Sequence, residues 1–294
     1  MSELDYGVAP PGYRLPAATH VGRVRLQISD LDRSIGYYER VLGLEATRTG
    51  QAAAELAPAG GGDPIIELRE KRGIQPASHR GLLGLYHFAV LLPDRPALGR
   101  FLVHLAELGL QAGMSDHFVS EAIYLQDPDN LGIEVYADRP RSAWKHANRE
   151  LSMSAVPMDA RAVAAAAGGE PWTGAPRGTT VGHVHLHVGD IEKAESFYHR
   201  ALGLDKVVWS YPGALFFSAG GYHHHLGTNT WARGGRSANE DDAHLIEWEL
   251  VLPTPADVHA LAEIIEREGH AFRRDGGSVV VRDPWGTQLR LVAG

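Results

Sequence analysis

Between residues 21 and 28 branched and polar side chains alternate, Val21-Gly-Arg-Val-Arg-Leu-Gln-Ile28, the period-2 pattern of a half-buried strand. Asp30 follows as a helix N-cap, and residues 31–42 carry the spacing of an amphipathic helix. The same phrase returns at Val181-Gly-His-Val-His-Leu-His-Val-Gly-Asp190, again followed by an amphipathic segment, closed by Gly203. Gly22 matches Gly182, Asp30 matches Asp190, Tyr38 matches Tyr198, and both helical segments end in Leu-Gly-Leu. An internal repeat of this kind constrains the fold before any single residue does. The two copies part at one chemically loud position, Arg23 in the first and His183 in the second.

Two further units share the rhythm. Residues 85–92 form a strand ended by Pro93, residues 95–108 a helix closed by Gly109, and residues 121–126 and 132–136 two strands about the turn Asp127-Pro-Asp-Asn130. In the first unit, residues 51–57 and 64–69 are short strands around Gly60 to Gly62. In the third, strands are predicted over 214–219 and 222–228, before a polar loop at 232–243. The fourth reads as strand 245–252, helix 256–268 and strands 278–282 and 287–292 about Asp283-Pro-Trp-Gly286. Each module is thus βαβββ, and the chain is α+β, with four modules in two tandem domains over 19–140 and 178–294. Residues 141–177, with Pro171 and an Ala-rich run, read as a linker holding one helix, and residues 1–18 as an irregular arm.

Composition narrows the chemistry. The 294 residues are 44% hydrophobic and 22% charged, enough for a substantial core. A net charge of -8 with both signs interspersed disfavours nucleic acid, which calls for a basic face. No apolar run is long enough for a bilayer, and no basic-then-apolar leader is present, so the expected setting is cytoplasmic. The absence of cysteine removes disulfides, thiolate ligands and thiol nucleophiles. The 16 histidines, several in strand-like segments, make neutral imidazole the expected ligand for any metal.

Four such modules resemble the vicinal oxygen chelate superfamily, which includes glyoxalase I, bleomycin-resistance proteins and extradiol dioxygenases. The phrases at 84–93, 132–140, 182–187 and 221–227 resemble in particular a bacterial catechol-2,3-dioxygenase group. The resemblance implies paired modules curled into cup-shaped half-barrels, with ligands on the first and last strands of a module. The first-strand slots hold Arg23, His87, His183 and Glu247, and the last-strand slots of modules two and four hold Glu134 and Arg290. Arg23 cannot ligate, because a guanidinium has no lone pair to offer. If modules two and three share a cup, it gathers His87, Glu134 and His183, a two-histidine, one-carboxylate set suited to non-haem Fe(II). Arg23, Glu247 and Arg290 then fall in the other cup, where opposite charges neutralise.

The resemblance implies an extradiol dioxygenase that takes an aromatic diol and O2, with Fe(II) as cofactor and Mn, Ni or Zn as alternatives. His224 is the expected acid–base, Tyr124 a phenol beside the metal and His117 a residue bordering the substrate. Each has a plainer alternative: a strand histidine is usually a hydrogen-bonded structural residue, a strand tyrosine usually core, and a loop histidine often merely exposed. His185 and His187 share the face of His183, where they either support the ligands or meet solvent. A glyoxalase-like isomerase or lyase at the same ligands, and a metal-free small-molecule-binding protein, are the competing functions. Homo-oligomers are common in the superfamily, although no interface signal stands out in this sequence.

Overall fold

The computed structural model describes residues 6–78 and 81–294; the first five residues of the expected N-terminal arm lie outside it. Module one contributes β1 (His20–Ile28), α1 (Leu31–Leu42), β2 (Leu44–Gly50), β3 (Ala53–Pro58) and β4 (Ile66–Glu70). Module two contributes β5 (Leu82–Leu91), α2 (Arg95–Glu107), β6 (Gly113–Asp116), β7 (Ser120–Gln126) and β8 (Gly132–Asp138). The stretch to module three is more ordered than a bare linker: β9 (His146–Ala147) and β10 (Glu150–Leu151) pair as a small hairpin, and α3 (Ala160–Ala165) follows.

Module three contributes β11 (Thr180–His187), α4 (Ile191–Ala194), β12 (Asp205–Val208), β13 (Ala214–Ser218) and β14 (Leu226–Asn229). Its helix does not continue as the expected α-helix. From Glu195 to Ala201 it widens into a π-helix before Gly203 turns it back at φ 83°. A short β15 (Arg236–Ser237) precedes module four, made of β16 (His244–Leu252), α5 (Pro255–Arg267), β17 (Phe272–Asp275), β18 (Ser278–Arg282) and β19 (Gln288–Ala293). The N-caps are those the sequence predicts: the Asp30 carboxylate accepts from Arg33 N–H and Asp190 from Lys193 N–H.

Two sheets result. One runs β17-β18-β19-β16-β1-β4-β3-β2 and so joins modules one and four. The other runs β12-β13-β14-β11-β5-β8-β7-β6 and joins modules two and three. In each, the two modules meet along an antiparallel seam of first strands, β1 with β16 and β11 with β5, and each sheet curls into a half-barrel.

Strand alternation divides the residues between core and cup. Val24, Leu26 and Ile28 of β1 and Val184 and Leu186 of β11 belong to one continuous apolar core. The opposite face carries Arg23, Arg25 and Gln27 in β1, against His183, His185 and His187 in β11. Among the described residues, no helix is long and apolar enough to cross a membrane.

Candidate metal centre

Three strands place three ligand-type side chains over the floor of the second cup. His87 comes from β5, Glu134 from β8 and His183 from β11. Their ligand atoms all lie within 4.8 Å of one another, and each residue is buried, at 4%, 2% and 1% exposure. The ladder explains the convergence. Ala89 is the register partner of both His183 and Glu134, two residues along β5 from His87 on the same face. Its single methyl leaves the space between them clear. Gly132 does similar work at the edge of β8: a Cβ there would sit 2.0 Å from the Tyr86 carbonyl oxygen, so only glycine lets β8 lie this close to β5.

His183 Nε2 donates to Glu134 Oε2 at 3.3 Å. His87 Nε2 approaches the same oxygen at 3.0 Å, but without the angles of a hydrogen bond, so both ring nitrogens of His87 are buried without a hydrogen-bond partner. Buried unpaired imidazole nitrogen costs free energy that a ligand recovers. Burial raises the Glu134 pKa, but His183 and His87 beside it outweigh that and hold the carboxyl well below its usual range. Burial is also the largest influence on His183 and lowers it to about 4, which keeps the ring neutral. Two imidazoles and an ionised carboxylate fit a divalent transition metal, which would displace the His183 proton on binding.

The group opens onto a cavity of about 250 Å³. His224 forms one wall, its ring 4.0 Å from that of His183. Tyr124 forms another, with its ring 5.6 Å from that of His87. His117, on the segment before β7, meets the Tyr124 hydroxyl at 2.6 Å through Nε2 and the Ser154 carbonyl at 2.6 Å through Nδ1. A carbonyl only accepts, so Nδ1 carries the His117 proton and Tyr124 donates to Nε2. Burial, then the Glu134 charge, push the Tyr124 phenol well above its usual value.

His87, Glu134, His183, His224, Tyr124 and His117 therefore line one cavity. The strand predicted over 222–228 begins only at Leu226, however. Residues 223–225 lie before β14 rather than within a strand, so strand alternation is not what turns His224 inward. His185 and His187 are not solvated: Asn229 donates to His185 Nε2 at 3.0 Å and accepts from His187 Nδ1 at 2.7 Å. The aromatic mouth, Tyr86, Tyr211, Phe216 and Trp231, carried no sequence signal beyond composition. No lysine or arginine lines the cavity.

The other cup is filled with ion pairs, partnered differently from expectation. Glu247 does neutralise Arg290, at 2.7 Å, but its second partner is Arg25, at 2.8 Å. Arg23 instead meets Glu249 at 2.8 Å and Glu55 at 2.9 Å. The two arginines of β1 point the same way two residues apart, so each takes the acid nearest its own rung.

A family model described as the Glyoxalase/Bleomycin resistance protein/Dioxygenase superfamily matches residues 20–135 and 180–291. Over 273 residues the chain is 41% identical to a Bacillus subtilis (strain 168) protein named catechol-2,3-dioxygenase, with 90% of this chain and 94% of that protein covered. In fold it is similar to the crystal structure of a putative dioxygenase from Bacillus subtilis subsp. subtilis str. 168, with a TM-score of 0.68 at 14% identity, covering 96% of this chain and 86% of that one. Glyoxalase I from Zea mays gives a TM-score of 0.56 at 18% identity, covering 94% of this chain and 92% of that one.

Proposed function

The chain belongs to the Glyoxalase/Bleomycin resistance protein/Dioxygenase superfamily, and from that membership we propose that it is an extradiol dioxygenase that opens the ring of catechol or a substituted catechol with Fe(II) and O2. The observation that carries this reading is the buried group of His87, Glu134 and His183, which among the described residues contains a single carboxylate. Two histidines and one carboxylate are the facial set of non-haem Fe(II) oxygenases, which leaves positions open for other ligands. The relative named catechol-2,3-dioxygenase supports the same substrate class. A glyoxalase-type isomerase site calls for a second carboxylate.

When bound, Fe(II) would hold a diol and dioxygen side by side and pass electron density between them. The chain's own residues do the rest. The cavity is below the usual span of ligand pockets, about 300–1,000 Å³, which suits a single substituted ring. Tyr86, Phe216 and Trp231 give that ring aromatic contact. His224 takes a proton from one diol hydroxyl and later returns it. Tyr124, committed as donor to His117, faces the substrate as an acceptor for a second hydroxyl. Cleavage beside the diol places both oxygen atoms of O2 in a hydroxymuconic semialdehyde.

Anaerobic loading with Fe(II), followed by catechol in air, tests the reading. The expected result is the yellow ring-fission product at about one iron per chain. Bound iron with no product from catechol or its alkyl derivatives overturns the dioxygenase assignment. Failure to bind any metal in stoichiometric amount overturns the ligand set itself.

A further inference from the structure

Behind His224, on the side away from the cavity, stands a second histidine. His223 is fully buried, and its Nδ1 lies 2.7 Å from Nδ1 of His224. Its Nε2 lies 2.8 Å from Asp138 Oδ1. In a strand, neighbouring side chains point to opposite faces and could not touch in this way. Here the turn before β14 brings the two rings to 4.7 Å between centroids. Asp138 ends β8 on the face that also carries Glu134 and Tyr136, at two-residue intervals.

The direction of every hydrogen bond in this chain follows from Asp138. A carboxylate only accepts, so the His223 proton must be on Nε2. With its one ring proton on Nε2, His223 has its lone pair on Nδ1, and the short contact to His224 requires the His224 proton on Nδ1. That leaves the lone pair of His224 on Nε2, the ring nitrogen not engaged by His223. A second arm holds the carboxylate in place. Tyr222 donates to Asp138 Oδ1 at 3.3 Å, and its oxygen lies 2.7 Å from that of Tyr136, which therefore donates to it.

We propose that Asp138 and His223 are positioning residues that lock His224 into the tautomer whose Nε2 lone pair faces the substrate. The proposal rests on the dioxygenase reading for the use of His224, but not for its tautomer. The logic is that of a carboxylate orienting an acid–base histidine, here acting through an intervening ring. Where such a carboxylate has been changed to the amide in a serine protease, the wrong tautomer lowers kcat about 10⁴-fold.

The test uses the full chain labelled with ¹⁵N at the histidine rings, before metal is added, beside Fe(II)-loaded protein turning over catechol. Four variants are compared with the parent: Asp138→Asn, His223→Gln, His224→Gln and the double variant Asp138→Asn/His224→Gln. The nitrogen spectrum of the parent should show His224 protonated at Nδ1, and Asp138→Asn should lose that preference. In turnover, Asp138→Asn and His223→Gln should each lower kcat by about 10²-fold or more with KM and iron content unchanged. Because they act through His224, the double variant should be no slower than His224→Gln alone. A parent spectrum with the His224 proton on Nε2 overturns the proposal, as does full kcat in Asp138→Asn or an additive loss in the double variant. If catechol is not cleaved by the parent, the dioxygenase reading fails, and the nitrogen spectra still decide the tautomer.

Discussion

His183 and Glu134 share a hydrogen bond of 3.3 Å across the seam between the two halves of the chain. Their strands are not hydrogen-bonded to each other; β5 runs between them. The centre therefore exists only when modules two and three pair, and it depends on side chains whose partners lie in the other half.

The pairing predicts which histidine-for-arginine difference matters. His183→Ala removes one of the three proposed ligands and should abolish stoichiometric metal binding. Arg23→Ala alters the other cup, where Arg23 is bonded to Glu249 and Glu55, and should leave metal content unchanged. Metal counted per chain after loading and desalting separates the two. Equal loss in both variants would overturn the assignment of the cup.

Ala89 offers a sharper test, because its part in the proposed site is only to stay small. Ala89→Val keeps a strand-compatible residue but adds two carbons between His183 and Glu134. Overpacking of this kind costs about 1–3 kcal/mol, which converts to about fivefold or more in metal affinity if the ligands absorb it. A competition titration against a chelator measures the affinity. Unchanged affinity would show that the space at Ala89 is not what lets the ligands converge.

Tyr124→Phe removes the hydroxyl that donates to His117 while keeping the ring beside His87. Metal content should be retained, and kcat should fall about 10- to 100-fold, the loss expected on removing one hydrogen bond to a charged group. A fall in metal content of similar size would instead make the phenol part of the metal's support.

Much of this site was legible in the sequence because strands alternate and the modules repeat. The superfamily resemblance supplied the ligand slots that hold Arg23, His87, His183 and Glu247, and the charges in those slots then distinguished the two cups. The same parity would have found Asp138, four residues beyond Glu134, but its partner His223 was hidden because a run of three histidines beside branched residues looks like a strand. Edge strands were harder. β2 reads Leu-Glu-Ala-Thr-Arg-Thr-Gly with its last four residues exposed, so it has no apolar period to announce it. The π-helix of module three and the partners of Arg23 and Arg25 depend on tertiary packing, which no local pattern encodes.

The filled cup should contribute stability without chemistry. Glu247 is 2% exposed and bonded to both Arg25 and Arg290. Glu247→Gln keeps the shape but leaves two guanidiniums short of a charge. Losses on breaking buried pairs run to about 3–5 kcal/mol; because both arginines retain some water, about 2 kcal/mol is expected here. The midpoint of urea unfolding should fall with an unchanged slope, and metal content should not change. A loss of metal in this variant would show that the two cups are coupled.

Stability should also fall in mild acid, and His225 identifies one cause. It is buried, its Nδ1 accepts from the Ala219 N–H at 3.1 Å, and burial lowers its pKa from 6.5 to about 3. The folded chain therefore keeps this ring neutral where the unfolded chain takes up a proton. The contribution is fully present above pH 6.5 and is lost as pH falls from there toward 3. His185 and His224, both lowered chiefly by burial, act in the same direction. One proton taken up only by the unfolded state costs about 1.4 kcal/mol per pH unit inside that window. Urea unfolding of metal-free protein at pH 7, 6 and 5 measures the slope. His225→Gln, which retains a side-chain acceptor without a titrating ring, should reduce the slope by up to one proton. An unchanged slope in that variant would mean that His225 is already protonated in the fold, contrary to its neutral role as acceptor for Ala219.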